Sequence, residues 1–198
     1  MKTFLAEIRS ALLVTLVLAV VCCGLYPLMV YGLAQALFRD KANGSLITAT
    51  DGTVRGSRLI GQQFTADKYF HSRPSSAGNG YDAANSSGSN LGPTSKKLAD
   101  TITQNVADYR AQNGIAPNLP VPADAVTASG SGLDSHISVA NAELQLARVA
   151  KTRGLTKATV QSLVEKFTNR PDLGIFGDAG VNVLQLNLAL DDYQGPVK

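Results

Sequence analysis

The residues best suited to chemistry gather in one short stretch, Val126 to Ser138, which reads VTASGSGLDSHIS. Ser129 and Ser131 offer hydroxyls, Asp134 a carboxylate and His136 an imidazole, the parts of a nucleophile, a base and an orienting acid. Gly130 and Gly132 add another option. Backbone N–H groups of a Gly-rich loop between a strand and a helix can form an anion-binding nest. Neither reading carries its signature. No Gly-x-Ser-x-Gly elbow occurs. A phosphate loop needs Gly-x-x-x-x-Gly-Lys-Ser/Thr, and no lysine follows Gly132. The plainer reading makes Asp134 the organiser of a turn and His136 an exposed residue ahead of a helix. Three roles stand open for the stretch: turn and helix cap, docking surface, or phosphate contact. In the first, Gly130 and Gly132 permit a tight turn, Asp134 pins it, and Ser138 caps a helix running to Arg153. Gln145 and Arg148 on that helix would then face a partner or the rest of the domain.

Other chemistry is thinly supplied. His71 and His136 are the only histidines, and neither has a metal-ligating partner at the usual spacing. Cys22 and Cys23 are the only cysteines and both lie in an apolar N-terminal run, so the rest of the chain has no disulfide and is held by its core. The formal net charge is +3, the basic residues are scattered and tryptophan is absent, which argues against nucleic acid as a partner.

The element that must position everything else is the N-terminal run. No charged residue occurs from Ser10 to Phe38. About 20 apolar residues suffice to cross the hydrocarbon core, and inside it only a helix satisfies its own backbone. Residues 1–11 read as a tail and 12–33 as a transmembrane helix. Ala34-Gln35-Ala36 fits a signal-cleavage pattern, but the apolar run continues through it, so a retained anchor is the expectation. Gly24 and Pro27 predict a kink, and Gly24 and Gly32 allow close approach of another helix. A single span without intramembrane charge cannot itself select or conduct an ion. Lys2 and Arg9 before the span nearly balance Arg39 and Lys41 after it, with a mild lean toward an exported C-terminal domain.

Residues 39–198 read as a soluble α+β domain: short strands, then several helices. Asn43-Gly44 and Asp51-Gly52 are turn pairs within a strand-and-turn region, 39–71. Residues 72–94 are dense in Ser, Gly and Asn and form a long loop, read as an interface loop or as simple disorder. Leu98, Ile102, Val106 and Tyr109 mark one face of a helix over 95–112, with Gly114 as its stop. Residues 126–128 fit a short buried strand. Ser138 and Gly154 bracket the next helix, Thr156 caps another, and Asn182 with Gln185 predicts a final helix despite the strand-like alternation of Leu184, Leu186, Leu188 and Leu190.

Several stretches in order carry a resemblance: Tyr26-Pro27-Leu28, Ala42-Asn43-Gly44-Ser45-Leu46, Leu59-Ile60-Gly61-Gln62, Arg73-Pro74-Ser75, Gly88 to Pro93, Val126 to Asp134, Arg153-Gly154 and Val181 to Asp191. Over nearly the whole chain this series resembles the C-subunit family of the Kdp potassium-transporting ATPase. The resemblance implies a single-span subunit of a bacterial inner-membrane complex that imports K⁺ at the expense of ATP. The implied partners are a P-type ATPase subunit, which hydrolyses ATP, a potassium-selective channel-like subunit, and the lipid bilayer. The implied role is non-catalytic: assembling or stabilising the pump, and acting as a catalytic chaperone that raises the ATPase subunit's affinity for ATP through a ternary complex. No cofactor is assigned to this chain itself; ATP enters through the pump subunit. The chain lacks Asp-Lys-Thr-Gly, the phosphorylation motif of a P-type pump. The domain is expected on the outer, periplasmic side. The alternative is a membrane-anchored exported hydrolase-like enzyme using Ser129, Asp134 and His136.

Overall fold

The computed structural model describes residues 2–49 and 51–193. The chain divides into two compact units, Met1–Leu46 and Ile47–Lys198.

The first unit is one long apolar helix followed by a short turn. α1 (Lys2–Ala19) passes into a π-helical stretch, Val20–Leu25, and then into α2 (Tyr26–Leu37). The wide turn has a cause in the sequence. Pro27 has no N–H to give, and its ring crowds the carbonyl four residues back. Widening the preceding turn to five-residue spacing accommodates both, as the bond from Tyr26 N to Val21 O shows. The irregularity expected from Gly24 and Pro27 therefore takes the form of a π-bulge. The helix from Thr3 to Leu37 is long and apolar enough to cross a membrane, and its most apolar window is 0% buried within this chain. α3 (Arg39–Ala42) is a single helical turn where the sequence suggested strands and turns; Asn43 closes it by bonding Arg39 O at 2.7 Å and exchanging amide hydrogen bonds with Gln35.

The chain then forms a two-stranded ribbon, β1 (Leu46–Thr48) and β2 (Val54–Ser57), whose turn Asp51 organises through Thr53 N at 2.8 Å. After the long 58–94 segment come α4 (Lys96–Asn113), α5 (Ala123–Val126), β3 (His136–Ser138), α6 (Val139–Arg153), α7 (Lys157–Lys166), β4 (Thr168–Asn169), β5 (Gly180–Asn182) and α8 (Val183–Asp191). β5 is the middle strand of an antiparallel sheet ordered β3-β5-β4, with Ile137 opposite Val181 and Thr168 also opposite Val181.

The core lies among α6, α7, α8 and this sheet: Ile137, Ala142, Leu146, Val149, Val160, Val164, Val181, Val183, Leu186 and Leu190, with Phe70 added from the long segment. The caps read from sequence are in place. Ser95, Ser138, Thr156 and Asn182 accept bonds from the N–H three residues on, and Gly114 and Gly154 end their helices in the left-handed conformation. The amphipathic face of α4 is half-buried, so this helix lies on the flank of the core.

Two expectations are corrected. Residues 126–128 are not a strand. Pro122 opens the short helix α5, and Thr127 closes it by bonding Ala123 O at 2.9 Å; Val126 is buried as the sequence suggested. His136 is not an exposed residue ahead of a helix. It sits half-buried in β3, and α6 begins at Val139, directly after the last paired residue of that strand, Ser138.

Candidate functional site

Ser129 to Asp134 form a hub that three separate parts of the chain grasp. Within the hub, Ser129 Oγ accepts from Gly132 N at 2.8 Å and Ser131 Oγ accepts from Leu133 N at 3.1 Å. From the Ser/Gly/Asn-rich loop, Ser75 Oγ donates to Gly132 O at 2.7 Å, Ser86 Oγ donates to Ser131 O at 2.9 Å, and Ser87 N donates to Ser131 O at 3.0 Å. Gly61 N donates to Leu133 O at 2.8 Å. Arg73 pairs with Asp134 Oδ2 at 2.9 Å, and the other carboxylate oxygen accepts from His136 N at 3.0 Å. Asp134 thus pins the turn, as the sequence suggested, and ties it to residue 73.

The glycines divide in their roles. Gly132 has φ +68°, and a Cβ there would lie 2.7 Å from both Ala77 N and Ser87 O. Gly61 is equally committed, since its Cβ would meet Asp134 O at 2.3 Å. Gly130 is exposed, does not have positive φ, and a Cβ on it meets nothing within 4 Å. Of the two glycines that the sequence assigned to a tight turn, only Gly132 has the positive φ and the crowding that require a glycine.

This wiring decides what the stretch can do chemically. The N–H groups of Gly132 and Leu133 are turned inward onto serine hydroxyls, which removes two donors from an anion nest. A Ser129–His136–Asp134 relay is not assembled either. The His136 ring meets Ser135 Oγ at 3.0 Å through Nδ1 and Asn169 Nδ2 at 2.8 Å through Nε2. Asn169 donates its amide N–H, so Nε2 accepts and the ring proton lies on Nδ1, pointing to Ser135. Such an imidazole cannot take a proton from that hydroxyl. Burial, first, lowers the His136 pKa, and the Asp134 charge opposes the shift only in part.

Gln145 and Arg148 face the domain, not solvent. Gln145 is 1% exposed; its Oε1 accepts from His71 N at 2.7 Å and its Nε2 donates to His71 O at 3.1 Å. Arg148 donates through Nε to Asn113 Oδ1 at 2.9 Å, through one terminal nitrogen to Tyr69 O at 2.9 Å and to Asp67 O, and through the other to Gln145 Oε1 at 2.8 Å. Asn187 on α8 treats Phe70 as Gln145 treats His71, bonding its N and its O at 2.9 Å each. Arg153 adds Lys68 O at 2.6 Å and Asp191 at 2.8 Å. Residues 67–71, a turn closed by Tyr69 N on Ala66 O at 3.0 Å that runs into Phe70 and His71, are therefore held by side chains where a sheet would use a neighbouring strand.

Asn187, Asn141, Asp124 and Arg153 were missed by the sequence reading. Asp124 accepts from Ser138 N, Ser138 Oγ and Asn141 Nδ2 at 2.8–2.9 Å, so one carboxylate organises the start of α6. A signal for part of this existed. Asn141, Gln145, Arg148 and Thr152 recur at spacings of 4, 3 and 4, a polar stripe beside the apolar stripe of Ala142, Leu146 and Val149.

A cleft of about 410 Å³ lies beside this wiring, lined among others by His71, Arg73, Tyr81, Asn105 and Tyr109. Most of its polar groups are spent inside the domain: Tyr109 Oη bonds Asn141 Oδ1 at 2.7 Å and Asn105 bonds Val126 O at 2.9 Å. Among the described residues no group of three His, Cys, Asp or Glu side chains gathers as a metal site would require.

Comparison with known proteins supplies the context for this arrangement. The family model described as "KdpC: K+-transporting ATPase, c chain" matches residues 8–192. The potassium-transporting ATPase KdpC subunit of Mycobacterium tuberculosis (strain ATCC 25618 / H37Rv) is 54% identical over 185 residues, covering 93% of this chain and 97% of that protein. The subunit of the same name from Nitratidesulfovibrio vulgaris (strain DSM 19637 / Miyazaki F) is 53% identical over 194 residues, covering 96% of each chain. That of Koribacter versatilis (strain Ellin345) is 50% identical over 185 residues, covering 93% of this chain and 94% of that one. With one apolar helix, an α+β domain and a match over nearly its whole length, the chain belongs to the KdpC family and is an accessory subunit of a potassium-transporting ATPase.

Proposed function

We propose that this subunit does no chemistry of its own and that it assembles and stabilises the pump through its helix and its soluble domain. Hydrolysis of ATP then belongs to a P-type ATPase subunit and ion selection to a channel-like subunit. In this reading the subunit raises the ATPase subunit's affinity for ATP through the assembled complex and without holding the nucleotide itself. One observation carries the reading: the groups best suited to catalysis or phosphate binding are spent on holding the domain together, whereas the apolar helix is left uncovered by the chain's own residues. A helix surface of that kind is satisfied by lipid and by other helices. Gly24, Pro27 and Gly32 lie on it, and at neither glycine would a Cβ meet any atom of this chain within 4 Å.

The soluble domain is placed on the periplasmic side of the inner membrane. In this reading Lys2 and Arg9, ahead of the apolar helix, stay on the cytoplasmic side.

The test compares the pump purified with and without this subunit. Loss of the assembled complex, and a weaker apparent affinity for ATP in what remains, is the expected result. Full assembly and unchanged ATP dependence without the subunit would overturn the reading. Calorimetry on the full chain in detergent should show no ATP binding tighter than about millimolar. Protease added outside spheroplasts should cut within residues 80–90; protection there would place the domain in the cytoplasm.

A further inference from the structure

The loop between β4 and β5 presents apolar side chains that the domain does not use. Asp172 and Phe176 exchange both backbone hydrogen bonds, at 2.9 and 3.0 Å, and Gly174 N bonds Pro171 O at 3.0 Å, so the tip is a closed hairpin. Leu173 at its apex has φ +53°, a backbone conformation that branched apolar residues rarely adopt, and Gly174 and Gly177 follow at +79° and +85°. The exposures are 89% for Leu173, 76% for Ile175 and 62% for Phe176. Among the described residues after Ile47, no other four-residue stretch exposes three large apolar side chains. A strained, braced turn that holds three such side chains in solvent is preorganised for contact, because little ordering remains to be lost on binding.

We infer that the tip Leu173–Phe176 is an anchor that fills an apolar socket with a basic rim on another chain of the same ATPase. The inference rests on the reading of this chain as an assembly subunit. Charge selects the occupant. The foot of the hairpin exposes Asp172 and Asp178 against one cation, Arg170. A net negative foot is repelled by acidic lipid headgroups, whereas surfaces that enter a bilayer carry cations. It also disfavours a second copy of this chain, which would set like charges against each other. A partner protein with Lys or Arg around an apolar pocket satisfies both the tip and its foot.

A photo-crosslinking benzoyl-phenylalanine at position 176 of the full chain, in the intact complex in native membranes, tests this directly. The expected product is a covalent adduct with another pump subunit. An adduct with lipid, an adduct with a second copy of this chain, or no adduct would overturn the inference. A Leu173→Asn, Phe176→Ser double variant supplies the second measurement; asparagine suits the positive φ at 173, so folding is preserved. Its melting temperature should match the wild type while it leaves the diluted, detergent-solubilised complex about thirtyfold faster, the scale of one hot-spot loss. Wild-type retention by that variant would equally sink the anchor. Wild-type chain that fails to co-purify with the pump contradicts the assembly role itself, which separates the two failures.

Discussion

The side-chain amide of Gln145 closes both backbone hydrogen bonds of His71, as a neighbouring strand would. Its nitrogen also reaches Asn141 Oδ1 at 2.8 Å, and its oxygen also accepts from Arg148. Replacing Gln145 with Leu preserves approximate bulk but strands a backbone N–H, a backbone C=O and part of a buried guanidinium. Each buried group left unpaired costs about 1–3 kcal/mol, with partial relief from rearrangement. Gln145→Leu is expected to lose about 2–4 kcal/mol in chemical denaturation, a large share of a typical domain's stability. An effect within experimental error would show that His71 is held without the Gln145 amide, by the Asn187 and Arg148 bonds to its neighbours.

The two glycines of the hub give a paired prediction. Gly132→Ala forces a side chain onto a positive-φ backbone, where its Cβ would lie 2.7 Å from Ala77 N and Ser87 O. The conformational penalty is about 1–2 kcal/mol, and overpacking against backbone adds about 1–3 kcal/mol. Gly130→Ala meets open space and should fall within about 0.5 kcal/mol of wild type. Thermal denaturation of both variants checks the ordering; equal melting temperatures would mean the 72–94 loop does not press on the hub in solution.

The capping chemistry is local, which is why it was legible. Ser95, Ser138, Thr156, Asn182, Gly114 and Gly154 each need only their own next few residues to act. The grip on the hub was not legible, because Gly61, Ser75 and Ser87 reach Ser131, Gly132 and Leu133 across more than forty residues of chain. The composition of 72–94, so poor in apolar groups, reads equally well as disorder. In the folded domain its serines instead spend their hydroxyls on partner carbonyls. Residues 126–128 failed for a related reason: Val126 and Thr127 are β-branched and suit a strand, but Pro122 and the Asp124–Ser138 bonds fix a helical turn over Ala123–Val126.

Acid should weaken the domain through its two histidines. Burial, aided by the Arg148 charge, lowers the His71 pKa below 6.5, and burial lowers that of His136. A histidine with a depressed folded-state pKa binds its proton more readily when unfolded. Its stabilising contribution is therefore complete above about pH 6.5 and declines as pH falls through that value toward the folded-state pKa. Melting temperature should drop between pH 7 and pH 5, and the drop should shrink in the His71→Gln, His136→Gln double variant. An identical acid profile in that variant would assign the loss to carboxylates.

The membrane helix gives the prediction that reaches the pump itself. Pro27 and the π-bulge at Val20–Leu25 leave the helix irregular around Gly24, and Gly32 lies two turns further on. Beyond the adjoining helix backbone, a Cβ at either glycine meets nothing within 4 Å, so Gly24→Leu and Gly32→Leu should leave the soluble domain's melting temperature unchanged. Neither glycine is explained by this chain's own packing, while each costs about 1 kcal/mol of helix propensity relative to alanine. Close approach of a neighbouring helix accounts for that cost, since small residues are what let transmembrane backbones meet. Each leucine variant should therefore reduce co-purification with the other pump subunits in mild detergent, and an alanine at the same position should retain most of it. Undiminished co-purification of both leucine variants would mean that lipid, and not a partner helix, covers this face.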